Sequence, residues 1–336
     1  VRAMYGRRLL PEDYKELLRK QTVPEVAAYL KQQTSYAEVL KDSNENLIHR
    51  GQLEMIIRRG LFAEYTKVFH YAGRSEIEFY SYLVTRMEID EILSCMRFLN
   101  AGRQGEYIFS LPSFLTKRLH VDLYALAKVR TVADLQNLLR DTRYCEIIDK
   151  FPLREDSQID TAKMEVEFDR FYYDRLFSVI DAAYDGEVKT RLRNAFAMEI
   201  DLWNIISVFR LKKYFDLPGN KIRPLLLPYR AKLGREALNE IMSAPDAASA
   251  WNAACKTYYG RFLTTHEFNY VEEYIEEILY GYHKSMLMRS SDTPVVVVSY
   301  LHLKIYEIQN LIHIIEGIRY GLEPSEIAKL LVGTGQ

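Results

Sequence analysis

Residues 301–315 read LHLKIYEIQNLIHII, and the spacing within this stretch decides the fold class. Leu301, Ile305, Ile308, Ile312 and Ile315 step by four, three, four and three, which lays one apolar stripe along a helix. Gly321 can supply a left-handed cap to that helix. Pro324, followed by Glu326, sits where a new first turn begins, so a short last helix is expected over Pro324 to Leu331. Upstream, Val295 to Val298 is the one segment with strand character, because β-branched residues disfavour helix slightly. Asp292-Thr293-Pro294 before it reads as a cap and first turn, and the apolar spacing runs on into the stripe, so helix is expected here too. With 15 glycines and 10 prolines in 336 residues, and almost no strand-like alternation, the fold class is all-α.

The long helix has counterparts earlier in the chain. Around Asp90 the sequence is Met87-Glu88-Ile89-Asp90-Glu91-Ile92-Leu93, and around Asp201 it is Met198-Glu199-Ile200-Asp201-Leu202-Trp203-Asn204. Lys304-Ile305-Tyr306-Glu307-Ile308-Gln309-Asn310 is the third copy. By subtraction the anchors are 111 and 106 residues apart. A second signature keeps the same order: Leu17-Leu18, Thr22-Val23-Pro24-Glu25 and Tyr36 describe a short helix, a capped turn and another short helix. Leu126-Ala127, Thr131-Val132-Ala133-Asp134 and Tyr144 repeat it, and Ile241-Met242, Ala244-Pro245-Asp246 and Tyr258-Tyr259 give a looser third version. Thr22 and Thr131 are reasonable N-caps, each with a carboxylate three residues on. One functional body of three internal repeats is therefore expected, over about 1–105, 106–220 and 221–336, each with two short helices and then two long ones. Three such units closing around an axis, related by a pseudo-threefold, would make a ring or funnel rather than an open solenoid.

Composition excludes several functions. The 45 basic and 46 acidic residues nearly cancel, which argues against nucleic acid as a partner. Cys95, Cys145 and Cys255 are odd in number and far apart, so they suggest neither a disulfide framework nor a zinc site and fit a reducing cytosol. No stretch approaches the roughly 18 consecutive apolar residues of a spanning helix, and no signal peptide opens the chain, which starts at Val1 rather than methionine. A cytoplasmic protein is expected, with peripheral attachment to a membrane complex left open. The 25 tyrosines, against 2 tryptophans, suit the edges of a core or a wet interface.

Chemistry is hard to find. Histidines 49, 70, 120, 266, 283, 302 and 313 form no HExxH pair or His-Asp metal dyad. His302 and His313 lie near one face of the long helix and read as partly exposed helix residues. Phosphate loops and a GxSxG elbow are missing. Glu272-Glu273 with Glu276-Glu277 is the one acidic cluster an all-helical metal enzyme would use, and it reads more simply as a solvated face. No catalytic, cofactor or metal residue is assigned. What remains is a set of repeat-packing candidates: Asp90, Asp201 with Asn204, and Glu307 with Asn310. Each acid–amide pair is spaced i, i+3 and shares a helix face, so if that face is buried its polar groups need partners. A neighbouring unit or a ring of arginines would supply them and fix the angle between units. The first copy departs from the pattern, with Leu93 where the others have asparagine.

Over essentially its whole length the chain resembles the C-type stalk subunits of the prokaryotic V/A-type rotary ATPases, relatives of the d-type subunit of the eukaryotic proton pump. The resemblance is carried by Tyr300-Leu301, Tyr306 through Leu311, Glu316-Gly317 and Gly321-Leu322-Glu323-Pro324-Ser325-Glu326-Ile327, with a weaker match at Val1-Arg2-Ala3-Met4 and Arg8-Leu9-Leu10. It implies a funnel of three helical units in the central stalk, without catalysis or cofactor. The implied partners are the rotating shaft, of D- and F-type subunits, and the membrane rotor ring that carries protons or sodium ions. Loops ending the long helices, near Asn100 to Glu106 and Leu217 to Lys221, are the expected contact points. Two other readings stand beside it: a helical adaptor unrelated to ATPases, and a metal enzyme built on the Glu272 to Glu277 acids.

Overall fold

The computed structural model describes residues 1–110, 119–150, 160–263 and 271–334, and among these residues every regular element is helical. Short helices come first: α1 (Arg2–Tyr5), α2 (Pro11–Leu18), α3 (Val23–Gln33) and α4 (Ala37–Leu40). Two long ones follow, α5 (Arg50–Tyr71) and α6 (Arg74–Asn100). The order then recurs. After α7 (Tyr107–Ser110) come α8 (Leu123–Leu126), α9 (Val132–Leu139) and α10 (Cys145–Asp149), then the long α11 (Thr161–Ala183) and α12 (Gly186–Phe215). The third round holds α13 (Gly219–Ile222), α14 (Arg235–Ser243), α15 (Ala247–Ala254) and α16 (Gly260–Leu263), then the long α17 (Val271–Arg289) and α18 (Thr293–Tyr320). A last short helix, α19 (Pro324–Ala328), ends three residues before the expected Leu331.

Local chemistry accounts for these boundaries. Thr22 Oγ1 accepts from the Glu25 backbone at the start of α3, and Thr131 does the same for Asp134 at the start of α9. The Asp134 carboxylate returns the bond to the Thr131 backbone, which completes the capping box. Asp246 caps α15 through the Ser249 amide. α12 and α18 both stop on a left-handed residue, Asp216 at φ 48° and Gly321 at φ 67°.

The described chain divides into two compact units. One comprises Val1–His70, Asp185–Pro224 and Pro228–Gln336, the other Tyr71–Tyr184 and Leu225–Leu227. In the first, α17 runs along α18, and α12 packs on α15, α17 and α18. The far half of α18 enters a core made by α2, α3, α4, the start of α5 and α19. Leu311, Ile314 and Ile315 are fully buried there against Leu17, Val26, Leu30, Leu53 and Ile57. Each such side chain contributes about 1.5–3 kcal/mol by leaving water. Val295 to Val298 are all buried within α18, so burial overrides their weak helix preference, which costs only a few tenths of a kcal/mol per residue.

In the second unit α6 lies along α11. Phe79, Ile89, Ile92 and Met96 from α6, and Phe168 and Ile180 from α11, are all buried. Arg86 on α6 bonds Asp169 on α11 at 2.6 Å beside this core.

Candidate functional site

The site grows from a three-residue motif that occurs once in each round of short helices: Thr34-Ser35-Tyr36, Thr142-Arg143-Tyr144 and Thr257-Tyr258-Tyr259. The threonine hydroxyl donates to a carbonyl of the helix just ended. The acceptors are Leu30 O at 2.6 Å, Leu139 O at 2.7 Å and Ala254 O at 2.7 Å. The same oxygen accepts from the tyrosine backbone N–H, at 3.2, 3.2 and 3.3 Å. Each threonine therefore terminates one short helix and fixes the backbone from which the tyrosine projects. All three rings are buried.

Each tyrosine hydroxyl ends on a buried carboxylate of a long helix. Tyr144 donates to Glu88 Oε2 at 2.5 Å, Tyr259 to Asp201 Oδ2 at 2.8 Å and Tyr36 to Glu307 Oε1 at 2.8 Å. The same carboxylates hold the backbone that leads into the short helices. His120 N donates to Glu88 Oε1 at 2.5 Å, and Leu9 N to Glu307 Oε2 at 2.8 Å. Ala231, Lys232 and Leu233 donate their amides to Asp201 Oδ2 at 3.0, 2.7 and 2.9 Å. One acid thus clasps a tyrosine and a strand of backbone at once. Hydrogen bonds to an ionised acceptor are the stronger kind, so each clasp repays part of the cost of burying its charge.

The compensation of charge differs among the three. Glu88 has the Arg143 guanidinium at 3.2 Å and the His120 ring at 3.0 Å. Glu307 is bonded by Lys304 one turn earlier. Asp201 has no ion-pair partner among the described residues and rests on backbone and hydroxyl dipoles alone, with Oδ1 lacking a hydrogen bond. Burial raises its pKa above the usual aspartate value, and the four hydrogen bonds pull it back in part.

The clasps follow a cyclic order along the sequence. Glu88, within 1–105, is bonded to Tyr144, within 106–220. Asp201 in that second stretch is bonded to Tyr259 in 221–336, and Glu307 in the third returns to Tyr36 in the first.

Of the residues singled out from sequence, Asp201 and Glu307 occupy equivalent clasp positions. Asn204 is buried one turn along α12 from Asp201. Asn310 clamps the segment after α19, donating to Val332 O at 2.8 Å and accepting from Val332 N at 2.9 Å. Asp90 does not share this arrangement. It is exposed on α6, pairs with Arg86 at 3.1 Å, and stands about 200° around the helix from Glu88, which takes the buried position. Glu88 lies inside the segment quoted around Asp90, so the first anchor shifts by two residues. The tyrosines were visible as repeat signatures, but nothing in their spacing paired them with acids.

The remaining candidates disperse. His302 Nδ1 faces Val298 O at 2.9 Å and its ring stacks on His283 at 4.2 Å, whereas His313 Nδ1 faces Leu330 O at 3.0 Å. The side chains of Glu272 and Glu273 lie outside the described residues. Glu277 accepts from Gly333 N at 2.7 Å. Among the described residues no group of three or more His, Cys, Asp or Glu is placed to hold a metal ion. No helix among them is long and apolar enough to cross a membrane.

An all-helical chain whose recurring buried polar groups each tie a long helix to a tier of short ones is, as a class, a helical packing protein. The chain belongs to the ATP synthase (C/AC39) subunit family, whose family model matches residues 1–330. It is 25% identical over 344 residues to the C-type subunit of the A-type ATP synthase of Methanosarcina mazei, covering 99% of this chain and 91% of that protein. It is 23% identical over 344 residues to the corresponding A-type ATP synthase protein of Archaeoglobus fulgidus, covering 99% and 94%. Membership makes it a non-catalytic central-stalk protein that couples rotor parts, and the near-complete match removes the adaptor and metal-enzyme readings.

Proposed function

We propose that this chain joins the rotating shaft of a V/A-type ATPase to the membrane rotor ring, as three repeats closed into a funnel. D- and F-type shaft subunits would sit on one side and the ring on the other, with the chain peripheral to the membrane at the cytoplasmic face. ATP hydrolysis in the head then drives ion movement through the ring, or ion flow drives synthesis. The observation that carries this reading is the cyclic order of the clasps, in which Glu307 of the last repeat is bonded to Tyr36 and Leu9 of the first. A chain that returns to its own start resists unwinding under torque better than an open array, because close-packed interiors transmit strain. The same observation supports the packing role of Asp201, Asn204, Glu307 and Asn310, with Glu88 in place of Asp90.

A tagged chain recovered from gently solubilised membranes of the source cell tests this. Head, shaft and ring subunits should come with it in fixed ratio. Recovery of none of them, with the chain intact, would overturn the reading.

A further inference from the structure

We propose that the seam between the first and last segments of the chain holds a binding site for a phosphate-sized dianion. A cavity of about 80 Å³ opens there, between α1, the start of α2, α17 and α18. At roughly 10–15 Å³ for each water position, it has room for several waters or one small oxyanion.

Its lining is cationic in a protein whose formal net charge is −1. Arg8, Lys284 and Lys304 face it with one carboxylate, Glu307. Lys304 is committed to Glu307 and lies over the Tyr36 ring at 4.4 Å. That leaves Arg8 and Lys284, which have no ion-pair partner among the described residues. The Arg8 guanidinium sits over the Tyr5 ring at 4.4 Å, and the Lys284 ammonium is 5.7 Å from the Tyr280 ring centre. Cation–π contacts of this kind bias the two cations toward the cavity without neutralising them.

Hydrogen bonding points the same way. Tyr5 lines the cavity, and its hydroxyl, buried beside the Tyr280 hydroxyl, has no hydrogen bond of normal geometry. A buried donor in that state costs free energy until it finds an acceptor. Arg8 Nη1 donates to the Tyr5 carbonyl at 3.4 Å, which orients the guanidinium without neutralising it, and an anion with several oxygens would take both cations that lack an ion pair, its charge of −2 matching them. Because Glu307 belongs to the clasp that returns to Tyr36 and Leu9, an anion held here would tie down the closure itself.

Calorimetric titration of the full chain with inorganic phosphate in a chloride buffer tests the site. Arg8→Gln and Lys284→Gln each remove one cation that makes no ion pair, so the fold should persist. Each should weaken phosphate binding about tenfold or more, whereas Lys213→Gln, outside the cavity, should leave it unchanged. A parallel arm uses phosphatidylcholine vesicles with and without phosphatidate. Binding to phosphatidate vesicles alone, lost in the same two variants, supports the site and makes a lipid headgroup its source. No binding in either arm, or binding that both variants retain in full, would overturn the proposal.

Discussion

At the scale of single residues, three acids share one arrangement and differ in how their charge is balanced. Asp201 is the exposed case energetically, because dipoles alone oppose its burial. Tyr259→Phe removes one of four hydrogen bonds to that carboxylate and should destabilise the chain by about 1.5–3 kcal/mol, read by chemical denaturation. The pH dependence has a definite sign. A carboxyl whose folded pKa is raised above the ordinary 3.8 binds more protons in the folded state, so its contribution to stability falls as pH rises through that window. Asp201→Asn cannot ionise. The wild type should therefore lose stability relative to this variant as pH rises from the ordinary aspartate value to the folded pKa, and a flat difference across that range would contradict the account. Much of this site was legible. Acid and amide at i, i+3 on otherwise apolar helices marked Asp201, Asn204, Glu307 and Asn310, because a polar pair on a buried face demands partners. Glu88 escaped because neither it nor Asp90 is followed three residues on by an amide, and Asp90 lies closer to an even spacing of the three anchors.

At the scale of elements, the periodicity of residues 301–315 carried the all-α reading, and the capping residues carried the boundaries. Val295 to Val298 were ambiguous only while burial was unknown. Ile327 and Leu331 keep a helical spacing, yet the chain leaves the helix after Ala328, so the expected end at Leu331 lies three residues too far. What sequence could not give was how closely elements approach. Gly260 follows Tyr259, and a Cβ there would lie 1.7 Å from the Cys255 carbonyl oxygen. That neighbour is backbone and cannot rotate away, so the start of α16 must move. Gly260→Ala should cost about 3 kcal/mol and displace Tyr259 from Asp201, with a rise in hydrogen exchange at residues 231–233. Unchanged stability in this variant would show that the third clasp tolerates a shift.

At the scale of the molecule, the clasps join each stretch of sequence to the next and the last to the first. Asn100 to Glu106 and Leu217 to Lys221, after two of the long helices, are the segments where partner contact is expected. Lys221, exposed in the short helix α13 that follows α12, makes no ion pair among the described residues, and reversing its charge should leave the fold intact. Lys221→Glu should cut recovery of shaft and ring subunits from solubilised membranes several-fold, because a like-charge contact at an interface costs several kcal/mol. Recovery equal to wild type would remove that segment from the contact surface.

Coupling is tested most directly by measuring ATP hydrolysis and ion transport together in a reconstituted V/A-type ATPase, with this chain present and then omitted. Hydrolysis should continue in both samples, and ion transport should vanish when the chain is left out and return when it is added back. Transport at undiminished rate without the chain would contradict the account.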